Sequence, residues 1–104
     1  MATLKQINER IQRVEPCVEL VRGEGYHYYS FDNGLFPTDA AERKANQYRP
    51  TSLKPGAGDT WVSDDRSEMI PYLGDMPASW WIATGIEYGR EMRRRHYLPA
   101  QGDA

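Results

Sequence analysis

The chain has 104 residues, of which 39% are hydrophobic and 12% aromatic, and it carries a formal net charge of −2. This length fits a single domain over residues 1–104, and the aromatic content excludes an intrinsically disordered chain. The small net charge excludes a general attraction to nucleic acid or to anionic membranes. The one cysteine, Cys17, excludes an internal disulfide. Because the sequence has neither a signal-peptide core nor an apolar run of membrane-spanning length, we expect no membrane partner and a cytoplasmic location.

An amphipathic helix is predicted over residues 4–14. Its apolar residues have the three-to-four spacing of one helix face and are Leu4, Ile7, Ile11 and Val14. Thr3 and Gln6 fit a capping box at the start of this helix, and Pro16 ends it.

A β-hairpin is predicted next, because two runs rich in β-branched and aromatic residues, 17–22 and 26–31, flank a short glycine-bearing connection. The tripeptide Asp32-Asn33-Gly34 predicts a second turn. Alternation alone leaves open which tyrosines of the second strand face the core.

The stretch 37–59 is predicted to be an irregular insertion. Thr38 fits the cap of a short surface helix that ends near residue 47. Residues 49–59 follow as a loop rich in proline and glycine, and a loop of this length in a small domain indicates either a function or disorder.

Two strands are predicted after the insertion. Residues 60–63 form the first, residues 64–67 form a turn, and residues 68–73 form the second. Pro71 donates no backbone hydrogen bond, which places this last strand at a sheet edge.

A final helix is predicted over residues 77–94, because apolar residues again recur along one face. Gly85 and Gly89 lie on that buried face. Glycine weakens a helix, so their alignment predicts close backbone approach to the sheet or to the first helix.

The predicted fold is therefore α+β, with the order α-β-β-(insertion)-β-β-α. Two helices on one face of a four-stranded antiparallel sheet would bury every apolar stripe, which gives a two-layer sandwich.

Residues 18–29, which read VELVRGEGYHYY, resemble the "ELVRGEGYxYF" segment of small proteins encoded by phages, prophages and plasmids of proteobacteria. Residues 60–63, 69–76 and 80–82 are similar, in the same order, to the tryptophan-bearing strand, the following strand and the helix of those proteins. The resemblance covers most of the chain except 37–59, and it implies a mobile-element protein.

The segments Gly23-Glu24-Gly25-Tyr26 and Phe31-Asp32-Asn33 are also similar to segments of an acidic class of anti-CRISPR inhibitor. This resemblance implies binding to a subunit of a defence complex. The chain departs from that class in charge, because it is nearly neutral, and this argues against a DNA-mimic role.

The sequence predicts no catalytic, metal or cofactor site, so we expect a protein that is not an enzyme. Nucleophilic catalysis would need Cys17 or a serine beside a histidine, and only His27 and His96 are present. Cys17 lies in a predicted strand and is expected to be a small buried apolar residue. No cysteine pair, histidine pair or phosphate-binding glycine loop is present.

Partner-binding residues are predicted on the final helix and on the hairpin, and they are Trp80, Arg90, Arg94, Arg95, Tyr26 and His27. Trp80 lies at the centre of a polar helix face, where tryptophan is unusual and typical of a binding hot spot. The alternative is that the loop 49–59 covers it. The arginines, together with Arg93 and His96, either complement the helix dipole or contact phosphate or an acidic protein.

These observations favour a non-enzymatic mobile-element protein that acts by protein–protein interaction with a host or phage protein, with an anti-CRISPR inhibitor of host defence as the sharpest form. The alternative is a nucleic-acid-binding accessory protein. It would stack bases on Tyr26, Tyr28 and Tyr29 and contact phosphates through the arginine cluster.

Overall fold

The computed structural model describes residues 2–47 and 49–99, and its first element confirms the predicted amphipathic helix. This helix, α1, spans Leu4–Val14. Thr3 Oγ1 accepts a hydrogen bond from the Gln6 amide at 3.1 Å, and Gln6 Oε1 accepts one from the Thr3 amide at 2.9 Å. The predicted capping box is therefore present.

The other regular elements follow in chain order: β1 Val18–Arg22, β2 His27–Asp32, β3 Gly34–Leu35, α2 Ala40–Ala45, β4 Ser52–Leu53, β5 Ser63–Ser67 and α3 Ala78–Arg95. The predictions for a domain over 1–104 and an insertion over 37–59 also include residues 1, 48 and 100–104, which lie outside the described residues.

The strands form two sheets instead of the predicted single sheet of four strands. β1, β2 and β5 make an antiparallel sheet in the order β1-β2-β5, and β3 pairs with β4 in a separate two-stranded sheet. The predicted α+β class is confirmed, and so is the β1–β2 hairpin. The four-stranded layout is corrected, because a single strand, β5, follows the insertion in the main sheet, and residues 68–73 form none.

The third strand of the main sheet begins later in the sequence than predicted. Residues 60–63 were expected to form the strand and 64–67 a turn, whereas β5 covers Ser63–Ser67. It pairs with β2 so that Asp64 lies opposite Phe31. The hydropathy pattern misses this strand because all its side chains are exposed, while its backbone still completes the ladder.

Residues 68–73 do not form the predicted edge strand. Met69 has a φ of 55°, which interrupts an extended backbone, and Pro71 has no amide to donate. The Ile70 carbonyl instead accepts a hydrogen bond from His27 Nδ1 at 2.8 Å. The chain then enters a short 3-10 helix over Leu73–Asp75 and reaches α3.

α1 and α3 pack against each other; α3 contacts β1 and β2, and α1 lies along β1, where Asn8 and Gln12 bond to the strand backbone. The close approach of α3 depends on its two buried glycines. A Cβ on Gly85 would lie 2.9 Å from both Ile11 Cδ1 and Tyr29 Cε1, and a Cβ on Gly89 would lie 2.8 Å from Val18 Cγ2. The core between these layers includes Ile7, Ile11, Val18, Leu20, Tyr29, Phe31, Trp81 and Met92.

The observed bounds of α3 differ from the predicted 77–94 by one residue at each end, because Pro77 is the N-cap. Among residues 2–47 and 49–99, no helix combines the length and the apolar character needed to cross a bilayer.

The insertion is tied to the main sheet through the buried side chain of Asn33. Its Nδ2 donates to the carbonyls of Ala57 at 3.0 Å and Thr60 at 2.8 Å, and its Oδ1 accepts from the Val62 amide at 2.8 Å. Asn33 was predicted only as a turn residue. The short helix in the insertion, α2, is capped by Asp39 and not by Thr38 as predicted.

Candidate functional site

The hairpin places its aromatic side chains on two faces, which settles the question that alternation left open. His27, Tyr29 and Phe31 point to the helices and are fully buried. Tyr26 and Tyr28 lie on the opposite face, with ring centroids 5.8 Å apart, and both are half-buried. Tyr29 is therefore unavailable for stacking on a base.

His27 was predicted to contact a partner, but it is part of the core. Its ring lies 5.3 Å from the Trp81 ring, and its Nδ1 donates to the Ile70 carbonyl. Because none of its surface is exposed, it offers no contact to a partner in this structure.

Trp80 lies in the first turn of α3 and is half-buried. Its ring packs edge-to-face on Trp81, with centroids 5.0 Å apart and an interplanar angle of 82°. The insertion approaches the other end of the helix, where a Cβ on Gly58 would lie 2.9 Å from Leu98 Cδ2. At a rise of about 1.5 Å per residue the two ends of α3 are about 25 Å apart, so the segment around Gly58 does not cover Trp80.

The three predicted arginines of α3 are exposed. Arg94 Nη2 lies 3.3 Å from Glu87 Oε1, and Arg95 Nη2 lies 2.7 Å from Glu91 Oε1. Such surface ion pairs contribute about 1 kcal/mol or less, so a partner could replace them at little cost.

Arg93, in contrast, is buried and forms an ion pair with Glu15. The Arg93 Nε–Glu15 Oε2 distance is 2.8 Å, and the side chains are 3% and 0% exposed. Arg93 Nη1 also donates to the Pro99 carbonyl at 3.0 Å, and its guanidinium lies 5.7 Å from the centroid of the Phe31 ring. This arginine therefore has a structural role. Its spacing of four residues from Gly89 was the signal in the sequence that it shares the buried face.

The structure does not bring the six predicted residues together. Tyr26 lies on the open face of the sheet, His27 lies in the core, and Trp80 and the arginines lie on the helix layer. A single nucleic-acid surface made of the tyrosines and the arginine cluster is therefore not formed, because the sheet separates the two groups.

The structure reveals an exposed apolar cluster that no sequence pattern predicted. We call it the aromatic patch, and it consists of Phe36, Pro50 and Trp61. Phe36 and Trp61 are 38% and 40% exposed, and the adjacent residue Leu35 is 45% exposed. The rings of Phe36 and Trp61 meet edge-to-face, with centroids 6.5 Å apart. Beside Trp61, residues 49–53 and Asp59 line a groove of about 540 Å³.

The aromatic patch is held in place by contacts with the base of the insertion. Trp61 Nε1 donates to Asp32 Oδ1 at 3.1 Å, and the same oxygen accepts from the Gly34 amide at 2.8 Å. A Cβ on Gly34 would lie 2.5 Å from Pro50 Cβ and 3.2 Å from Trp61 Cδ1. Glycine at position 34 therefore lets Pro50 and Trp61 close over the backbone.

Hydropathy patterns along the chain do not reveal the patch, because its residues lie far apart in the sequence and follow no helix or strand period. One feature of the sequence could have indicated the patch. The apolar pair Leu35-Phe36 directly follows a turn, in a stretch with no amphipathic element to bury it.

Cys17 lies in the core as predicted and is 4% exposed. Burial raises the pKa of the Cys17 thiol, which keeps it in the unreactive protonated form. Among the described residues, no three histidine, cysteine, aspartate or glutamate side chains converge to hold a metal ion.

Comparison of the chain with protein-family models, with curated proteins and with solved structures finds no significant match.

Proposed function

We propose that this is a non-enzymatic interaction protein whose aromatic patch binds a protein partner. The observation that carries the proposal is the exposed, edge-to-face pair of Phe36 and Trp61 at a preformed groove. Tryptophan and other large rigid side chains dominate the energy of protein interfaces, and the hydrogen bond from Trp61 to Asp32 fixes the indole before any partner arrives.

The exposed area of the patch is too small to form a whole interface by itself. An aromatic side chain buries about 150–250 Å², so Phe36 and Trp61 at roughly 40% exposure present no more than about 100 Å² each. A stable interface needs about 800 Å² per partner. The patch therefore acts as an anchor within a larger contact, and the partner should supply an apolar side chain to the groove.

The resemblance to mobile-element proteins supports a host or phage protein as the partner. In its most specific form, the proposal is that the chain binds a subunit of a host defence complex and inhibits it, as an anti-CRISPR does. Arg90, Arg94 and Arg95 supply an exposed basic strip that could extend the contact toward an acidic surface.

The test is affinity capture from bacterial lysate, in nuclease-treated and untreated halves, followed by calorimetry with the purified partner. Trp61→Ala should weaken binding by about thirtyfold or more, as expected for an interface hot spot. Tyr72→Ala is the control, because Tyr72 is an aromatic residue outside the patch and is 71% exposed, more than Trp61, and it should leave affinity within about twofold.

A partner that is lost on nuclease treatment would replace this proposal with nucleic-acid binding. An equal effect of the two substitutions would show that the patch is not the contact. A dimer that depends on Trp61 in sedimentation would assign the patch to self-association.

A further inference from the structure

The main sheet has two edges, and α1 closes one of them. Asn8 Nδ2 donates to the Leu20 carbonyl at 2.9 Å, and Asn8 Oδ1 accepts from the Leu20 amide at 2.6 Å. Gln12 Nε2 donates to the Val18 carbonyl at 3.1 Å. These two side chains take the place of a neighbouring strand, so β1 cannot accept another one.

The other edge, β5, has no neighbouring strand among the described residues. The Glu68 amide donates to the His27 carbonyl at 3.0 Å. Because backbone groups alternate along a strand, the β2–β5 register then directs the backbone N–H and C=O groups of Asp64 and Arg66 toward β2. The backbone groups of Ser63, Asp65 and Ser67 therefore point outward. One of them, the Asp65 amide, donates to Asp64 Oδ1 at 2.8 Å.

A groove of about 490 Å³ runs between β5 and α3, and Tyr88 lines it. Tyr88 is 4% exposed, yet its buried Oη has no hydrogen-bond partner among the described residues. Burial, reinforced by the carboxylates of Asp64 and Asp65, raises the pKa of Tyr88. The hydroxyl therefore stays protonated, and it can donate to or accept from a group that enters the groove.

The charges around this groove favour a cation. Its two arginines are already paired, since Arg66 lies 3.1 Å from Glu68 and Arg95 lies 2.7 Å from Glu91. Among the described residues, Asp64 and Asp65 form no such pair. The unbalanced charge at β5 is therefore negative.

We propose that β5 accepts an extended basic segment of a partner protein as an additional strand. The backbone of that segment pairs with Ser63, Ser67 and the carbonyl of Asp65, and alternate side chains enter the β5–α3 groove. An arginine or lysine at such a position reaches the Asp64 carboxylate and the Tyr88 hydroxyl. This inference rests on the proposed interaction function, but it uses a surface separate from the aromatic patch.

The experiment selects displayed random peptides, each about ten residues long to match a strand, against the intact protein. Selected peptides should carry arginine or lysine at alternate positions and should slow hydrogen exchange at the Ser63 and Ser67 amides. The double variant Asp64→Asn and Asp65→Asn should bind them about tenfold more weakly. Glu19→Gln is the matched control, because it removes an exposed carboxylate from the closed edge and should leave binding within about twofold.

Selected peptides that lack basic residues, or that leave the β5 amides unprotected, would overturn the inference. The same holds if Glu19→Gln weakens binding as much as the double variant, or if a dimer of this chain protects β5. Trp61→Ala should not change peptide binding. Failure of the aromatic patch and failure of the β5 edge are therefore separate results.

Discussion

At the scale of single residues, the buried ion pair between Arg93 and Glu15 constrains how α1 and α3 pack. A buried charge is tolerated only with a partner, and here the two come from opposite ends of the chain. The pair also sits where α3 crosses the end of α1, so it fixes the relative position of the two helices. Neighbouring Arg94 is exposed, although the two residues are adjacent in the sequence.

Arg93→Met should destabilise the protein by about 3–5 kcal/mol, because it leaves Glu15 charged and buried without its partner. Replacing both residues, with Glu15→Met added, should recover most of that loss, since no buried charge remains. Urea unfolding measures both changes. Arg94→Met is the control and should cost less than about 1 kcal/mol, because its ion pair is exposed. A double variant as unstable as the single one would contradict this account.

At the scale of elements, α3 is shaped by the need to approach α1 and β1 closely. Gly85 and Gly89 lower the helix propensity of α3, but their lack of a Cβ allows close packing. The atoms nearest to them belong to α1 and its C-cap and to the sheet. The hydropathy pattern could predict this approach because it is a property of one helix face. The partners of that face lie elsewhere in the chain, so the pattern could not name them.

Gly89→Ala should destabilise the protein by about 1–3 kcal/mol, even though alanine is the better helix former. The new Cβ would lie 2.8 Å from both Glu15 Cγ and Val18 Cγ2, which belong to a tightly packed region. Thermal unfolding measures the change. The reverse change at an exposed position of α3, Ala83→Gly, should cost about 1 kcal/mol from propensity alone. A stabilising Gly89→Ala would show that the helices can separate at no cost.

At the scale of the whole molecule, the insertion is joined to the sheet and to the end of α3. Asn33 binds three backbone groups of residues 57–62, and Gly58 packs against Leu98. The aromatic patch depends on this attachment, because Trp61 follows Thr60 directly. The insertion is therefore the support of the proposed binding surface.

Asn33→Ala should loosen the insertion and destabilise the protein by about 1–3 kcal/mol, because it leaves the buried Val62 amide without a partner. Hydrogen exchange at the amides of Val62 and Lys54 should accelerate. Asn46→Ala removes an exposed asparagine bond at the end of α2 and should leave these rates unchanged. Equal exchange in the two variants would mean that Asn33 does not hold the insertion.

The sequence alone determined the helices and strands that a local hydropathy pattern specifies. α1, the hairpin and α3 were each predicted within about one or two residues, because an apolar stripe and a capping signal specify a helix or strand without reference to distant residues. The burial of Cys17 and the close approach of Gly85 were predicted for the same reason.

Tertiary structure alone decided the features that depend on residues far apart in the chain. β5 is a strand because its backbone forms hydrogen bonds with β2, although its side chains show no alternation of apolar and polar residues. Arg93 is buried in the core because it forms an ion pair with Glu15. The aromatic patch forms because Asp32 binds the Trp61 indole and Asn33 binds the Ala57 carbonyl. Backbone pairing and the desolvation of charge act through space, so a pattern read along the chain does not contain them.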